Sequence, residues 1–215
     1  SAIIPGTEIE TMIILKNALN IKVPIIANRI ELMPLMMDKF KAANLLKSFG
    51  FPYIETVSIE EWKTIVDKYD FPIVIKPTKQ SGGSRNLFLV SNQKEMNFVL
   101  FQTKNLPEMC AQPYIGDSAH EYTVGVLSGS EGQLIDSIVM KRKLIGLSLL
   151  TEKNIKSKHY ACSTGYSQGF FIKDREIQLF CETVAQKIGS RGPLNIQLRI
   201  HKNKFYIFTY DICHI

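Results

Sequence analysis

The sequence predicts an α+β fold, and three observations carry the prediction. The first half alternates capped helices with short runs of β-branched residues; the second half, from Met109, is almost entirely strands; and one strongly periodic helix interrupts those strands before a closing hairpin. Each half therefore holds antiparallel strands and few helices.

Taken in order, Thr7 with Glu10 is a capping box that opens a helix running to about Leu19, and "KVPIIAN" reads as a short buried strand. Asp38 caps a second helix whose Phe40, Ala43, Leu45 and Leu46 share a face, ended by Gly50 and Pro52. Ser58 with Glu61 is a further capping box, for a helix to about Lys68. "PIVIK" and "NLFLVS" follow as strands, and Asn92 with Glu95 starts another helix. Then come "CAQPYIG", "HEYTVGVLS" and "QLIDSIVMKRK" as strands and a long polar connection. Ile177, Phe180, Cys181, Val184, Ala185 and Ile188 recur at helical spacing, with Gly189 at the C-cap. "LNIQLRI" and "KFYIFTYDI", joined by "HKNK", form the final hairpin.

A chain of 215 residues, 45% apolar and 21% charged, has the makings of one or two packed domains and not of a disordered segment. No apolar run approaches membrane-spanning length; "TMIIL" is closed at once by Lys16, and the first residues lack the pattern of a secretory signal. The expected location is the cytoplasm. Cys110, Cys162, Cys181 and Cys213 have no metal-site spacing and read as reduced, buried thiols. A net charge of +6 favours an anionic partner. The basic residues are densest at 141–143 and 153–158 without aromatic interleaving, so a phosphorylated small molecule is expected and nucleic acid is not.

Three stretches carry chemistry. In "DFPIVIKPTKQSGGSRN" a strand ends on Lys76, which fixes an ammonium in place, and the following small residues expose backbone amides to an oxyanion. The same glycine pair also suits an ordinary hairpin turn. In "QPYIGDSAHEYTVGVL", Gln112, Tyr114 and Ile115 could read and pack against an adenine while the Glu121 carboxylate accepts two ribose hydroxyls; an edge strand with an exposed Glu fits as well. In "GPLNIQLRI" and "KFYIFTYDI", Asn195, Gln197, Thr209 and Asp211 alternate with apolar residues, so their oxygens share a face where Mg²⁺ could lie, as they would on any half-exposed hairpin.

In their order, "MDKFKAANLLKSFGFPYIET", "FPIVIKPTKQSGGS", "QPYIGDSAHEYTVGVL" and "GPLNIQLR" resemble the ATP-grasp superfamily, and most closely its carbamoyl-phosphate-synthetase-like branch, over residues 36–215. The resemblance implies two α+β lobes clamping ATP. Residues 1–36 would be the C-terminal part of a Rossmann-like pre-ATP-grasp domain, 37–110 the ATP-cover lobe and 111–215 the metal-binding lobe. It also implies that Lys39 and Lys76 contact phosphates under a cover of Ser81, Gly82, Gly83 and Ser84. Gln112, Tyr114 and Ile115 would line the adenine slot, Glu121 would hold the ribose, and Gln197 and Asp211 would bind Mg²⁺. Arg142 is expected to face the transferred phosphate or the carboxylate, as an alternative to a solvated basic strand end. The implied chemistry is ATP-dependent activation of a small carboxylate as an acyl phosphate, attacked by an amine or similar nucleophile. Oligomeric state is left open.

Two departures qualify the resemblance. Where the superfamily has "ExNPR", this chain reads "TYDIC" or, slid by two, "DICHI"; either alignment leaves one carboxylate and no arginine. The chain thus reads as a fragment or a degenerate member, and a nucleotide-binding module with little or no ligase activity is the second reading. Arg85 and Asn86 stand where relatives have another glycine, which adds a cation near the phosphates.

Overall fold

The structure is a computed structural model that describes residues 1–79 and 85–211, with side chains through 209. The expected cover residues Ser81, Gly82, Gly83 and Ser84, together with Cys213 and the side chain of Asp211, lie outside the described residues.

Helix α1 (Glu8–Lys16) begins as expected: Thr7 Oγ1 accepts from the Glu10 amide at 3.1 Å, and Glu10 returns the contact to the Gly6 amide at 3.0 Å. It ends at Lys16, short of Leu19, and a 3-10 turn over Ala18–Asn20 follows. "KVPIIAN" is not a strand. Its one ladder contact is the Ile3–Ile25 bridge, because Pro24 supplies no amide and no neighbouring strand among the described residues pairs with it.

Next come α2 (Met33–Met36) and α3 (Lys39–Ser48), the latter capped by Asp38 on the amides of Phe40 and Lys41. Of the expected face of α3, Leu46 is buried and Leu45 packs beside it, whereas Phe40 and Ala43 are half-buried and Ala42 takes the second buried place. Strand β1 (Val57–Ser58) leads to a 3-10 turn and α4 (Trp62–Tyr69). Ser58 makes no side-chain cap, since the 3-10 turn intervenes before the helix proper. Strands β2 (Ile73–Pro77) and β3 (Phe88–Val90), helix α5 (Gln93–Thr103) and strand β4 (Met109–Pro113) complete a four-stranded antiparallel sheet in the order β1-β4-β2-β3. Ile73 and Ile75 of β2 join Ile65, Met96 and Val99 in a core between sheet and helices, each contributing about 1.5–3 kcal/mol by burial. Alternation sends Val74 and Lys76 to the opposite face.

The second sheet holds β5 (Glu121–Ser128), β6 (Leu134–Arg142), β9 (Gly169–Ile172), β10 (Gly192–His201) and β11 (Lys204–Asp211), in the order β11-β10-β5-β6-β9. Helix α6 (Arg175–Lys187), capped by Asp174 and followed by Gly189 at φ +68°, covers one face with Ile177, Cys181 and Val184. Lys202 and Asn203, both at positive φ, turn β10 into β11.

The "long polar connection" contains a separate hairpin, β7 (Leu149–Ile155) and β8 (Lys158–Ser163), turned at Lys156 and Ser157, as well as β9. Two further points refine the expected lobes. Leu32, Met33, Met36, Ala42 and Leu46 pack into the core of the second sheet, while Met109–Pro113 lies wholly in the first. Cys110, Cys162 and Cys181 are buried free thiols. No helix among the described residues is long and apolar enough to cross a membrane.

Candidate functional site

The free face of β2 meets the second sheet across a cleft of about 170 Å³. Lys39 and Lys76 come together there because the Lys39 amide donates to the Thr78 carbonyl at 3.0 Å, docking the start of α3 on the end of β2. Arg85 is a third cation in the lining. Lys76 is half-buried and has no carboxylate partner among the described residues. Burial, and next the charge of Lys39, push its pKa down to about 8. Two neighbouring ammonium groups, one of them poorly hydrated, can seat an anion.

Gln112, Tyr114 and Ile115 line the same cleft. Gln112 is buried and donates to Thr56 Oγ1 at 2.8 Å. The Tyr114 hydroxyl donates to the Ala161 carbonyl at 2.7 Å and accepts from the Ala161 amide at 3.0 Å, so β8 fixes the ring. Burial raises the Tyr114 pKa, which keeps the phenol protonated as a donor. Gly116, at φ +80°, lets the linker pass close to Arg199, where a Cβ would come within 3.0 Å of the Arg199 Cβ.

Glu121 and Arg142 stand elsewhere than expected. Glu121 is fully buried, with one oxygen 2.9 Å from Arg142 Nη1 and the other 2.9 and 2.7 Å from Arg199 Nε and Nη2. Both oxygens are committed to guanidinium groups, so the carboxylate offers nothing to a ribose and does not line the cleft. The Arg142 side chain is sealed from solvent, donating to Glu121, to Gln197 Oε1 at 2.9 Å and to the Tyr166 carbonyl at 2.7 Å. It lies behind Gln197 and is not among the residues that line the cleft.

Arg199, which the sequence reading passed over, is the link between these groups. It lines the cleft, holds Glu121, donates to the Ala161 carbonyl at 2.8 Å and lies 4.3 Å from the Tyr114 ring centroid. The signal was in the alternation: Asn195, Gln197 and Arg199 occupy successive same-face positions of β10.

Of the expected magnesium ligands Gln197 and Asp211, only Gln197 has a described side chain. Register pairs Asn195 with Asp211 and Gln197 with Thr209, as the alternation implied. However, Gln197 Oε1 is turned to Arg142, and the described residues hold no group of three His, Cys, Asp or Glu side chains. Thr209 and Asn195 add uncharged oxygens on the same face, so a carboxylate for Mg²⁺ there would have to come from Asp211, whose side chain lies outside the described residues.

A second pocket of about 450 Å³ adjoins the cleft, sharing Gln197 and Gly165 with it. It lies over the face of the second sheet opposite α6.

No protein-family model matches the chain. Its sequence is similar to the carbamoyl phosphate synthase large chain of Helicobacter pylori, 24% identical over 202 residues, covering 91% of this chain and 18% of that one. The chain thus spans about a fifth of the length of the curated relatives it matches. Among solved structures it is similar to biotin carboxylase from Campylobacter jejuni, in a β,γ-ATP complex, with TM-score 0.71 at 18% identity over 100% of this chain and 49% of that one. D-alanine–D-alanine ligase from Bacillus anthracis matches with TM-score 0.62 at 14% identity, over 93% of this chain and 63% of that one. The two-sheet architecture, the order of its sequence stretches and these likenesses agree: the chain has the ATP-grasp fold.

Proposed function

We propose that the chain binds ATP in the cleft and serves a ligase that activates a small carboxylate as an acyl phosphate. The observation that carries this is Lys76, a half-buried ammonium beside Lys39 with no carboxylate partner among the described residues. Phosphate oxygens would supply the missing countercharge, and the base would lie between Gln112, Tyr114 and Ile115. Lys39 and Lys76 would then offset charge on the transferring phosphoryl group. A carboxylate oxygen attacks the γ-phosphorus and the bond to ADP breaks. The amine lone pair next forms a C–N bond as the C–O bond to phosphate breaks; phosphate leaves, and the surplus proton passes from nitrogen to water.

The reactions for which the similar proteins are named support this chemistry. Residues 1–36 are read as the end of a Rossmann-like unit and 37–215 as the ATP-grasp part; the exposed Ile4, Ile9, Ile13 and Leu19 favour a separate unit for the first 20 residues, whereas Leu32, Met33 and Met36 pack with the second sheet. An ATP-supplied, reducing compartment, the cytoplasm, suits the buried thiols.

A second reading, nucleotide binding without ligase chemistry, is favoured by one observation: Arg142, expected at the reacting groups, is tied inside the sheet to Glu121, expected at the ribose. Isotope exchange separates the two. ATP labelled with oxygen-18 in its β,γ-bridge, incubated with magnesium chloride and a panel of small carboxylates, should scramble its label when the right carboxylate is present. ATP binding without scrambling under any carboxylate would select the second reading. Absence of ATP binding would overturn both.

A further inference from the structure

We infer that the pocket beside the cleft holds the attacking nucleophile and selects an apolar primary amine over a carboxylate. This rests on the ligase reading above. The pocket and cleft meet at Gln197 and Gly165, so a ligand in one can reach a group transferred in the other.

The walls are Ile138, Met140, Tyr166 and Phe171, and among the described residues no acidic, basic or histidine side chain lines the pocket. Arg142 approaches from behind but is sealed beneath Gln197 and the Tyr166 carbonyl, with its charge facing Glu121. A carboxylate entering here would lose its water and gain no cation, a costly exchange. An amine meets the reverse situation, because uncharged surroundings favour its neutral form, and the neutral form carries the nucleophilic lone pair.

Two polar atoms supply the orientation. Asn195 Oδ1 and Thr123 Oγ1 are buried and have no hydrogen-bond partner among the described residues, and Asn195 as a whole is 6% exposed. They come from neighbouring strands: Gln197 pairs with Thr123 and Asn195 with Gly125, whose lack of a side chain leaves the floor open. Buried acceptors without donors are rare and cost stability until a ligand satisfies them. A primary amine has two N–H donors for these two oxygens and one lone pair left for attack. The apolar walls would take an alkyl or aryl body.

The test is a titration of the full chain, followed by NMR, with phenethylamine and with 3-phenylpropionate, each with and without ATP. Phenethylamine should bind about tenfold or more tightly than the acid, a difference of about 1.4 kcal/mol. It should bind alongside ATP. Asn195→Ala and Thr123→Val should each weaken the amine about 5- to 20-fold while leaving ATP affinity and the thermal melting temperature near wild type. Equal or tighter binding of the acid, wild-type amine affinity in both variants, or displacement of the amine by ATP would overturn the assignment. Lys76→Met separates the two proposals: it should weaken ATP alone. If ATP does not bind at all, the ligase reading falls and the nucleophile role with it, whereas failure of the amine with ATP still bound removes only the pocket assignment.

Discussion

The cleft and the pocket share Gln197 and Gly165 yet differ in character. Among the described residues, Lys39, Lys76, Arg85 and Arg199 line the cleft, whereas hydroxyl, amide and apolar groups line the pocket. One strand face serves both. Along β10, Asn195 faces the pocket, Gln197 the boundary and Arg199 the cleft, so four residues of chain advance lead from an uncharged side chain to a cationic one. Beneath the boundary, Glu121 and its two arginines hold Gln197 from behind and Tyr114 from the side. The site's expected carboxylate has become a brace.

Removing that brace should have the largest effect. Glu121→Ala leaves two buried guanidinium groups without their shared countercharge, and urea denaturation should show a loss of about 3–5 kcal/mol. Met140→Lys would erase the difference in charge: a cation in the pocket should reverse its preference and make 3-phenylpropionate bind about tenfold more tightly than phenethylamine, read by the same titration.

Lowering the proton affinity of Lys76 makes the cleft pH-sensitive. Its pKa falls from the ordinary 10.5 to about 8 in the folded chain, so between those values the unfolded chain binds more protons. Stability should rise with pH across that window relative to Lys76→Met, and ATP affinity should fall as the ammonium is lost. Smallest of all should be Lys153→Met. Lys153 joins the β7–β8 hairpin to Glu95 of α5 at 2.6 Å, but the pair is partly exposed, and thermal melts should register about 0.2–1 kcal/mol with ligand binding unchanged.

Much of this arrangement was legible in the sequence where it depended on local pattern. The period-2 alternation of "PIVIK" puts Lys76 opposite the buried Ile73 and Ile75, and the "NIQ" alternation puts Asn195 and Gln197 on one face. The order of short stretches brought Lys39, Gln112, Tyr114 and Ile115 to the same cleft. What remained hidden depended on distant partners. Glu121 meets Arg142 across 21 residues and Arg199 across 78, and nothing in "HEYTVGVL" distinguishes a carboxylate awaiting a ribose from one clamped by two guanidinium groups. The β7–β8 hairpin escaped notice because its strands are polar along much of both faces, with no apolar alternation to reveal them. "KVPIIAN" erred the other way, apolar enough for a strand but without a partner to pair with.

The most direct test is ATP affinity in Lys76→Met beside wild type, by calorimetry at neutral pH. Loss of a charge-assisted contact worth about 1.5–3 kcal/mol should weaken ATP roughly 10- to 100-fold. The melting temperature should hold or rise, since a half-buried ammonium is removed from the cleft. Equal ATP affinity in the two proteins would contradict the assignment of the cleft to nucleotide phosphates.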